Sequence, residues 1–396
     1  MQIIIATVTA GAGHLQAASA LEEAWKKRRP TDRVNRLDVL DFTPRLYRKA
    51  YVEGYVKLVE HAPELWGHMF KRTDNPVLAR RLNRVRRALA RVAAAPFVDE
   101  VRLRKPRVVL CTHYMPLDLV GRSKEEASES AAGPFIVSVV TDFEAHALWM
   151  DPAVDLYCVG AEETQARLVA RGVPQHQVCV TGIPVSPRFA QPVKVEAVRK
   201  RLGLRDDVPV LLVLSGGFGM GPVKDIMAEL NKLTIPVQIQ VICGRNEELR
   251  RELALLDMRH PTDVFGFVKN MHEFMAVADL VITKPGGLTS SEALAAGKPI
   301  LVINPIPGQE EANSDFLLEH GAAVKVNRVE DLPYKLKRLF HSKQLERLAA
   351  AARALGRPTA ALQVCHEVLA RLGLARRTAS RRRAPTKTRA SGRVSK

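Results

Sequence analysis

The sequence has few aromatic residues, no long apolar run and no closely spaced cysteine pair. Aromatic residues make up 5% of the 396 residues, which leaves few rings to stack on nucleic-acid bases. The longest stretch that contains neither a charged residue nor a histidine, residues 208–223, has four glycines and two prolines. It is also shorter than the roughly 20 apolar residues that span a bilayer. We therefore predict no transmembrane helix.

The cysteines and the first residues both favour a cytoplasmic protein. The five cysteines form no Cys-x-x-Cys pair and mostly lie in apolar contexts, so we interpret them as reduced, buried thiols; they are Cys111, Cys158, Cys179, Cys243 and Cys365. The apolar stretch Met1–Val8 is too short for a signal peptide and has no basic residues before it. We therefore expect no export.

The net charge of +18 is concentrated in two segments. Residues 45–107 carry +10, and residues 375–396 carry +9 without a single acid, so the remainder of the chain is about neutral. The second segment is rich in Arg, Ser, Thr, Ala and Pro, a composition that predicts a disordered tail. Its partner must be polyanionic. Nucleic acid would serve, and so would anionic lipid head groups, which attract a nearby Lys or Arg by about 1 kcal/mol.

Buried strands alternate with helices along the chain. Residues Gln2–Val8 are predicted as a strand, Gly11 and Gly13 as a turn, and residues 14–29 as a helix. Further strands are predicted at 107–112, 135–141, 156–159 and 178–181, and then at 210–214, 237–243, 263–265, 280–283, 299–303 and 323–325. This alternation predicts an α/β protein with parallel sheets covered by helices.

The chain is too long for one ordinary core, so two domains are expected. Two prolines and a loss of periodicity near residues 183–189 place the boundary there. We predict a first α/β domain at 1–187 and a second at 188–356. A helix at 357–374 is expected to pack back on the first domain, and the basic tail occupies 375–396.

A mostly helical insertion is predicted at residues 44–96. Its apolar residues step by four and three, as on one face of a helix, and they are Leu78, Leu82, Val85, Leu89 and Val92. Arginines fill the other face; they are Arg80, Arg81, Arg84, Arg86, Arg87 and Arg91. Such a helix can lie on an anionic membrane, but a basic face in solvent, with the apolar face packed on its own domain, fits equally well.

Three loops in the second half have the composition of ligand-binding loops. Residues 214–222 follow a strand and precede a helix, so their backbone N–H groups can bind a phosphate, although such turns also serve only to pack a strand on a helix. In residues 283–293, Gly286 and Gly287 allow close ligand approach, and Glu292 can accept two ribose hydroxyls or can be an ordinary helix N-terminal carboxylate. Residues 305–313 offer polar groups for sugar hydroxyls or for turns and caps.

Taken together, these motifs resemble glycosyltransferase family 28, whose members adopt the GT-B fold of two facing Rossmann-like domains. The run from 266–271 through 284–292 to 307–313 looks like the family's donor half. The first half is most similar to monogalactosyldiacylglycerol synthases and bacterial processive diacylglycerol glucosyltransferases, in the motif at 11–14 and in 140–149, 154–155 and 181–185. The resemblance covers roughly residues 1–340. Ala12 departs from the family's three consecutive glycines before the histidine.

The resemblance implies an inverting hexosyl transfer from a UDP-sugar to a membrane lipid such as diacylglycerol. It assigns the acceptor and the membrane to a first Rossmann-like domain, 1–187, and the nucleotide-sugar to a second, 188–356. It gives the role of general base to His14, with Asp142 as the alternative base or as the group that orients His14. The loop 266–271 would bind uracil, Glu292 the ribose, and Gln309 with Glu310 the hexose. The donor-binding set is Gly216, Gly217, Gly219, Phe267, Val268, Gly286, Gly287, Thr289, Glu292, Gln309, Glu310 and Asn313. His146 and Trp149 would line the acceptor entrance or have a purely structural role.

Neither a metal nor another cofactor is expected. No Asp-x-Asp motif accompanies the glycine loops, and backbone N–H groups with a helix dipole can stabilise the departing UDP without a metal. The expected partners are a UDP-sugar, a lipid acceptor and the anionic inner face of the cell membrane, to which the protein would bind peripherally from the cytoplasm.

Two other functions were weighed. The first is transfer of N-acetylglucosamine from UDP to a lipid-linked cell-wall precursor, against which the motifs of the first half argue. The second is nucleic-acid binding, whose whole case is the net charge and the Arg-rich tail. The tail contains no aromatic residue, so no specific nucleic-acid partner is expected. The sequence leaves open the donor sugar (glucose, galactose or N-acetylglucosamine), the exact lipid, processivity and the oligomeric state.

Overall fold

The computed structural model describes residues 1–9, 11–75, 90, 92–125, 133–216 and 221–374. Within these ranges the chain forms two six-stranded parallel sheets, which confirms the predicted α/β class. The first sheet has the order β2-β1-β3-β4-β5-β6 and the second the order β12-β11-β10-β7-β8-β9. Each order places the first strand of its unit inside the sheet, as in Rossmann-like domains.

The strands agree closely with the predicted ones. In the first sheet they are β1 Gln2–Thr7, β2 Arg33–Asp38, β3 Val108–Cys111, β4 Phe135–Val139, β5 Leu156–Val159 and β6 Val178–Val180. In the second sheet they are β7 Val210–Leu214, β8 Gln238–Ile242, β9 Thr262–Phe265, β10 Leu280–Thr283, β11 Ile300–Ile303 and β12 Ala323–Val326. Strand β2 was not predicted. It lies at the edge of its sheet and is largely polar, so it lacks the apolar run that marked the others.

Helices cover both faces of the sheets. Those of the first half are α1 Ala12–Arg28, α2 Arg45–His61, α3 Pro63–Thr73, α4 Ala95–Arg104, α5 Tyr114–Glu125 and α6 Glu162–Ala170. Those of the second half are α7 Val195–Arg201, α8 Val223–Asn231, α9 Glu247–Ala254, α10 Met271–Val277, α11 Gly287–Ala295, α12 Gln309–Glu319, α13 Leu332–Phe340, α14 Gln344–Leu355 and α15 Ala360–Arg371. None of the described helices is long and apolar enough to cross a bilayer.

The last helix, α15, packs on the first sheet. Its Val364, Cys365 and Val368 are fully buried in one cluster with Ile5 of β1 and Trp25 of α1. The chain therefore returns to its first domain after completing the second. Of the cysteines, only Cys179 is partly exposed, and all five are free thiols, as predicted.

The helical insertion is only partly visible. Helices α2 and α3 occupy its first half, whereas the predicted basic helix falls largely outside the described residues. Of its predicted apolar stripe only Val92 is described, and Val92 is 83% exposed. The basic tail, 375–396, also lies outside the described residues.

Asp32 is a buried acid that holds the start of the first domain together. It accepts hydrogen bonds from the Met1 ammonium group at 2.7 Å, from Arg29 Nε at 2.8 Å and from Trp25 Nε1 at 3.0 Å. Burial alone would raise the pKa of this carboxyl, but the three donors outweigh burial and hold the pKa below its usual range. The carboxylate therefore favours the folded state.

We predict that Asp32→Asn lowers the free energy of unfolding by about 2 kcal/mol at pH 7, because the charged acceptor of three donors is lost. Since the folded-state pKa is depressed, this contribution is complete above the ordinary Asp pKa of about 3.9 and disappears as the pH falls through the lower, folded value. Urea unfolding at pH 7, 5 and 3.5, followed by circular dichroism, measures the gap. Asp206→Asn, at an exposed Asp–Arg pair, is the control and should change little. A gap that persists unchanged at pH 3.5 would contradict the assignment.

Candidate active site

A cavity of about 460 Å³ lies between the two domains. The loops that follow strands β1 and β4 line it from the first domain, and those that follow β7, β8, β9, β10 and β11 line it from the second. All of these are carboxyl ends of parallel strands, where α/β proteins bind their ligands. Most of the predicted site residues therefore come together at this cavity from both halves of the chain.

His14 lies in the first turn of α1, at the wall of this cavity. Its Nδ1 is 2.9 Å from the Thr112 carbonyl oxygen and 2.9 Å from the Thr141 hydroxyl. A carbonyl can only accept, so we infer that Nδ1 carries the proton of the neutral ring and that Nε2 is the basic nitrogen. Burial lowers the pKa of His14 to about 4. The ring is therefore neutral at cellular pH.

Asp142 also lines the cavity, but its carboxylate hydrogen-bonds to Asn313 and not to His14. Its Oδ1 accepts from Asn313 Nδ2 at 2.9 Å, across the domain boundary. Burial raises the pKa of Asp142 to about 6, against the opposing effect of the Asn313 bond. Thr112 and Thr141, and not Asp142, therefore orient the His14 ring.

The donor loops of the second domain form the opposite wall. Gly216, Gly286, Gly287, Thr289 and Glu292 all line the cavity, whereas Gly217 and Gly219 lie outside the described residues. Helix α11 begins at this wall, and the free backbone N–H groups at a helix start attract anions. Burial raises the pKa of the Glu292 carboxyl to about 8.

Lys284 adds a cation to this wall. A Cβ atom placed on Gly221 would lie 2.9 Å from the Lys284 Cε, so the lysine stem runs against the end of the glycine loop. Its charge also opposes the effect of burial on Glu310. Lys284 therefore places a positive charge close to the predicted phosphate site.

The loop after β9 provides the outer part of the donor wall. Phe267 is 47% exposed, and the Arg245 guanidinium carbon lies over its ring, 5.7 Å from the ring centroid. Phe267 and Val268 both line the cavity. An exposed ring that already stacks with a cation offers a flat apolar surface, as a pyrimidine base requires.

The polar residues of α12 divide between the cavity and the domain boundary. Gln309 and Glu310 line the cavity, and Glu310 Oε2 accepts from the Ile306 N–H at 2.8 Å. Burial raises the pKa of Glu310 to about 7. Asn313 is fully buried: its Oδ1 accepts from the Phe143 N–H and its Nδ2 donates to Asp142. Asn313 thus acts on the cavity through Asp142.

His146 and Trp149 are buried behind the cavity and are not part of its wall. His146 Nδ1 accepts from the Leu148 N–H, and its Nε2 lies 3.0 Å from the Phe70 carbonyl of α3. Trp149 packs with its ring centroid 6.5 Å from that of His14. The His146 contacts attach the insertion to the loop after β4, and Trp149 packs against the His14 ring.

Sequence patterns did not reveal Tyr55, Thr112, Thr141 or Lys284 as site residues. Thr141 and Lys284 lie in the motifs 140–149 and 284–292 that resemble the family, so the sequence did contain a signal for them. Tyr55 lies in α2, within an insertion for which the sequence indicated a surface role, on the membrane or in solvent. Within the described ranges no cluster of three or more His, Cys, Asp or Glu side chains could hold a metal ion.

Two protein families match successive parts of the chain. Residues 14–185 match the monogalactosyldiacylglycerol (MGDG) synthase family, and residues 195–355 match the glycosyl transferases group 1 family. The boundary between the two matches lies at the predicted domain linker.

Curated relatives of the same name occur in several bacilli. The chain is 33% identical over 250 residues to a processive diacylglycerol β-glucosyltransferase of Bacillus pumilus, a match that covers 62% of this chain and 64% of that protein. It is 28% identical over 382 residues to the protein of that name from Bacillus cytotoxicus, covering 93% of each chain.

Solved structures share the fold at low sequence identity. MurG of Acinetobacter baumannii superposes with a TM-score of 0.59 at 18% identity, covering 93% of this chain and 99% of that one. Anabaena HepE in complex with UDP-glucose gives a TM-score of 0.56 at 14% identity, covering 94% and 100%. The fold is therefore the GT-B fold. The first half of the chain matches the monogalactosyldiacylglycerol synthase family and the second half a glycosyltransferase family, so the chain is a glycosyltransferase similar to the processive diacylglycerol glucosyltransferases.

Proposed function

We propose that this protein transfers a hexose from a UDP-hexose to the hydroxyl group of diacylglycerol or a related membrane lipid, with inversion at the anomeric carbon. The observation that carries the proposal is the position of His14. A neutral imidazole, fixed through Nδ1, faces the loops expected to bind the donor across one cavity. The names of the relatives support diacylglycerol as the acceptor.

His14 Nε2 would take the proton from the acceptor hydroxyl. A Cβ atom on Gly11 would lie 4.0 Å from Nε2, which places this nitrogen at the loop that lines the cavity. An imidazole with a pKa of about 4 is a weak base. It suffices if the proton moves late, because the acceptor oxygen becomes strongly acidic once its bond to the anomeric carbon forms.

The departing UDP needs positive charge on the other side of the anomeric carbon. The N–H groups at the start of α11 and the Lys284 ammonium group provide it. Such preformed charge costs no reorganisation at the moment of reaction. The donor would lie with uracil at Phe267 and Val268, ribose at Glu292 and hexose at Gln309 and Glu310.

The insertion gives the protein an apolar surface for the membrane. On α2 and α3, Leu46 is 79% exposed, Leu65 52% and Met69 45%. Leu65 and Met69 are four residues apart and so lie on the same face of α3. Together with the basic charge of residues 45–107, they support peripheral binding to the anionic cytoplasmic face of the membrane.

Transfer of N-acetylglucosamine to a lipid-linked precursor is the second candidate. The likeness to MurG is one of fold alone, at 18% identity. The match of residues 14–185 to the MGDG synthase family favours diacylglycerol.

We predict that His14→Ala lowers kcat at least about 100-fold, because the acceptor proton loses its base. The assay is transfer from radiolabelled UDP-glucose and UDP-galactose to diacylglycerol in anionic vesicles, and the productive donor identifies the sugar. Affinity for the donor should stay within about twofold of the wild-type value, since His14 acts on the acceptor. His176→Ala, at an exposed histidine, is the control. Activity retained within about tenfold would exclude His14 as the base.

We predict that the affinity for UDP-glucose rises between pH 6 and pH 8 by about tenfold or more. The raised pKa keeps Glu292 protonated below about pH 8, and ribose hydroxyls donate more strongly to the carboxylate. Titration calorimetry of Glu292→Gln should give a much flatter profile, whereas the exposed control Glu196→Gln should match the wild type. Equal slopes in Glu292→Gln and the wild type would remove Glu292 from the ribose site.

We predict that the double variant Leu65→Ser/Met69→Ser binds vesicles of anionic lipid about tenfold less well. A fully buried apolar side chain contributes about 1.5–3 kcal/mol, and these two side chains would enter the membrane only in part. Flotation with vesicles measures binding, and UDP-glucose affinity should be unchanged. Leu255→Ser, at a leucine of the second domain that is 86% exposed, is the matched control. If both variants float like the wild type, the membrane surface lies elsewhere.

A further inference from the structure

Tyr55 brings a hydroxyl group of the insertion into the active-site cavity. It lies on α2 and lines the cavity, and its oxygen accepts a hydrogen bond from Gln309 Nε2 at 3.1 Å. The two residues are 254 positions apart and belong to different domains. This contact therefore joins the insertion to the loop that is expected to hold the hexose.

The insertion is fixed against that loop by close packing. A Cβ atom on Gly67 of α3 would lie 2.6 Å from the Pro307 Cβ, and one on Gly308 would lie 2.7 Å from a Phe70 ring carbon. Lys71 Nζ lies 3.3 Å from Glu311 Oε2. Successive turns of α3 thus press on residues 307–311 with no space for an added methyl group.

Helix α3 also supports the Tyr55 ring. It packs edge-on against Trp66, with 5.2 Å between ring centroids and an interplanar angle of 82°. Trp66 in turn contacts Phe70, whose ring lies 4.4 Å from that of His146. A column of rings therefore sets the position of the Tyr55 hydroxyl from the body of the first domain.

The Tyr55 hydroxyl is a hydrogen-bond donor at every physiological pH. Burial raises its pKa well above the usual range, and the nearby carboxyls of Glu310 and Asp142 act in the same direction. Its oxygen already accepts from Gln309, and among the described residues no acceptor takes its proton. With Gln309 Nε2 directed at Tyr55, the Gln309 Oε1 remains to accept from a ligand.

Tyr55 and Gln309 therefore present one donor and one acceptor side by side. One donor and one acceptor side by side suit two neighbouring sugar hydroxyls, because each hydroxyl can both donate and accept a hydrogen bond. Both residues line the cavity, and the carboxyls of Glu310 and Asp142 lie close enough to Tyr55 to raise its pKa. Gln309 and Glu310 are the residues expected to hold the hexose, so the Tyr55 hydroxyl lies at the proposed hexose position.

We propose that Tyr55 contacts a hydroxyl group of the donor hexose and fixes the Gln309 amide for its neighbour, so that the insertion forms part of the donor-sugar site. This inference rests on the proposed function, which supplies a UDP-hexose as the ligand. It gives the insertion a role in donor selection in addition to any role at the membrane.

The test compares UDP-glucose and UDP-galactose with UDP in titration calorimetry on the full chain. Tyr55→Phe keeps the ring and removes the hydroxyl. It should weaken binding of the UDP-hexose that the wild type prefers about tenfold and leave UDP binding within about twofold. The double variant Tyr55→Phe/Gln309→Ala should bind little worse than Gln309→Ala alone, because the two residues act as a pair.

Tyr334→Phe, at a tyrosine that is 63% exposed on the second domain, is the matched control, and melting temperatures show whether each variant folds. Equal weakening of UDP and UDP-hexose would make Tyr55 a structural residue, and unchanged affinities for both would remove it from the site. Either result overturns the inference. The readout contains no lipid, so failure of transfer to diacylglycerol, which would refute the proposed acceptor, is recognised separately.

Discussion

The approach of Gly287 to Thr141 is the contact on which the site depends. A Cβ atom on Gly287 would lie 2.0 Å from the Thr141 carbonyl oxygen and 3.1 Å from the Asp142 Cα, so only glycine lets the start of α11 reach the first domain this closely. The same Thr141 bonds to His14 through its hydroxyl. One residue therefore sets both the spacing of the domains and the position of the proposed base, and the Asn313 amide adds a second link through Asp142 and Phe143.

The strands could be predicted because most of them are buried on both faces. Strands such as β3 and β7 are continuous apolar runs, which parallel sheets between two helix layers require. Strand β2 has the sequence Arg-Val-Asn-Arg-Leu-Asp and pairs with β1 alone at the sheet edge. Its side chains are partly or fully exposed, so no local pattern distinguishes it from a polar connection. Only the pairing with β1 makes it a strand.

The candidate site was predictable where the chemistry is local. Gly286, Gly287 and Glu292 occupy one loop and the helix after it, and the carboxyl end of a strand is where such residues bind ligands. Contacts between distant parts of the chain were not predictable. The Thr112 carbonyl that orients His14 is 98 residues away from it, and no side-chain type marks a backbone oxygen. Asn313 was predicted to bind the donor, but it is buried and hydrogen-bonds to Asp142, so it links the two domains.

The packing of α3 on residues 307–311 limits how the two halves of the protein can vary. Gly67 and Gly308 each face a side chain of the opposite domain at a distance that excludes any larger residue. An insertion transplanted from a relative would therefore meet a foreign loop. A larger side chain on either side of this contact would thus need a matching change on the other side, although more than 200 residues separate the two segments in the sequence.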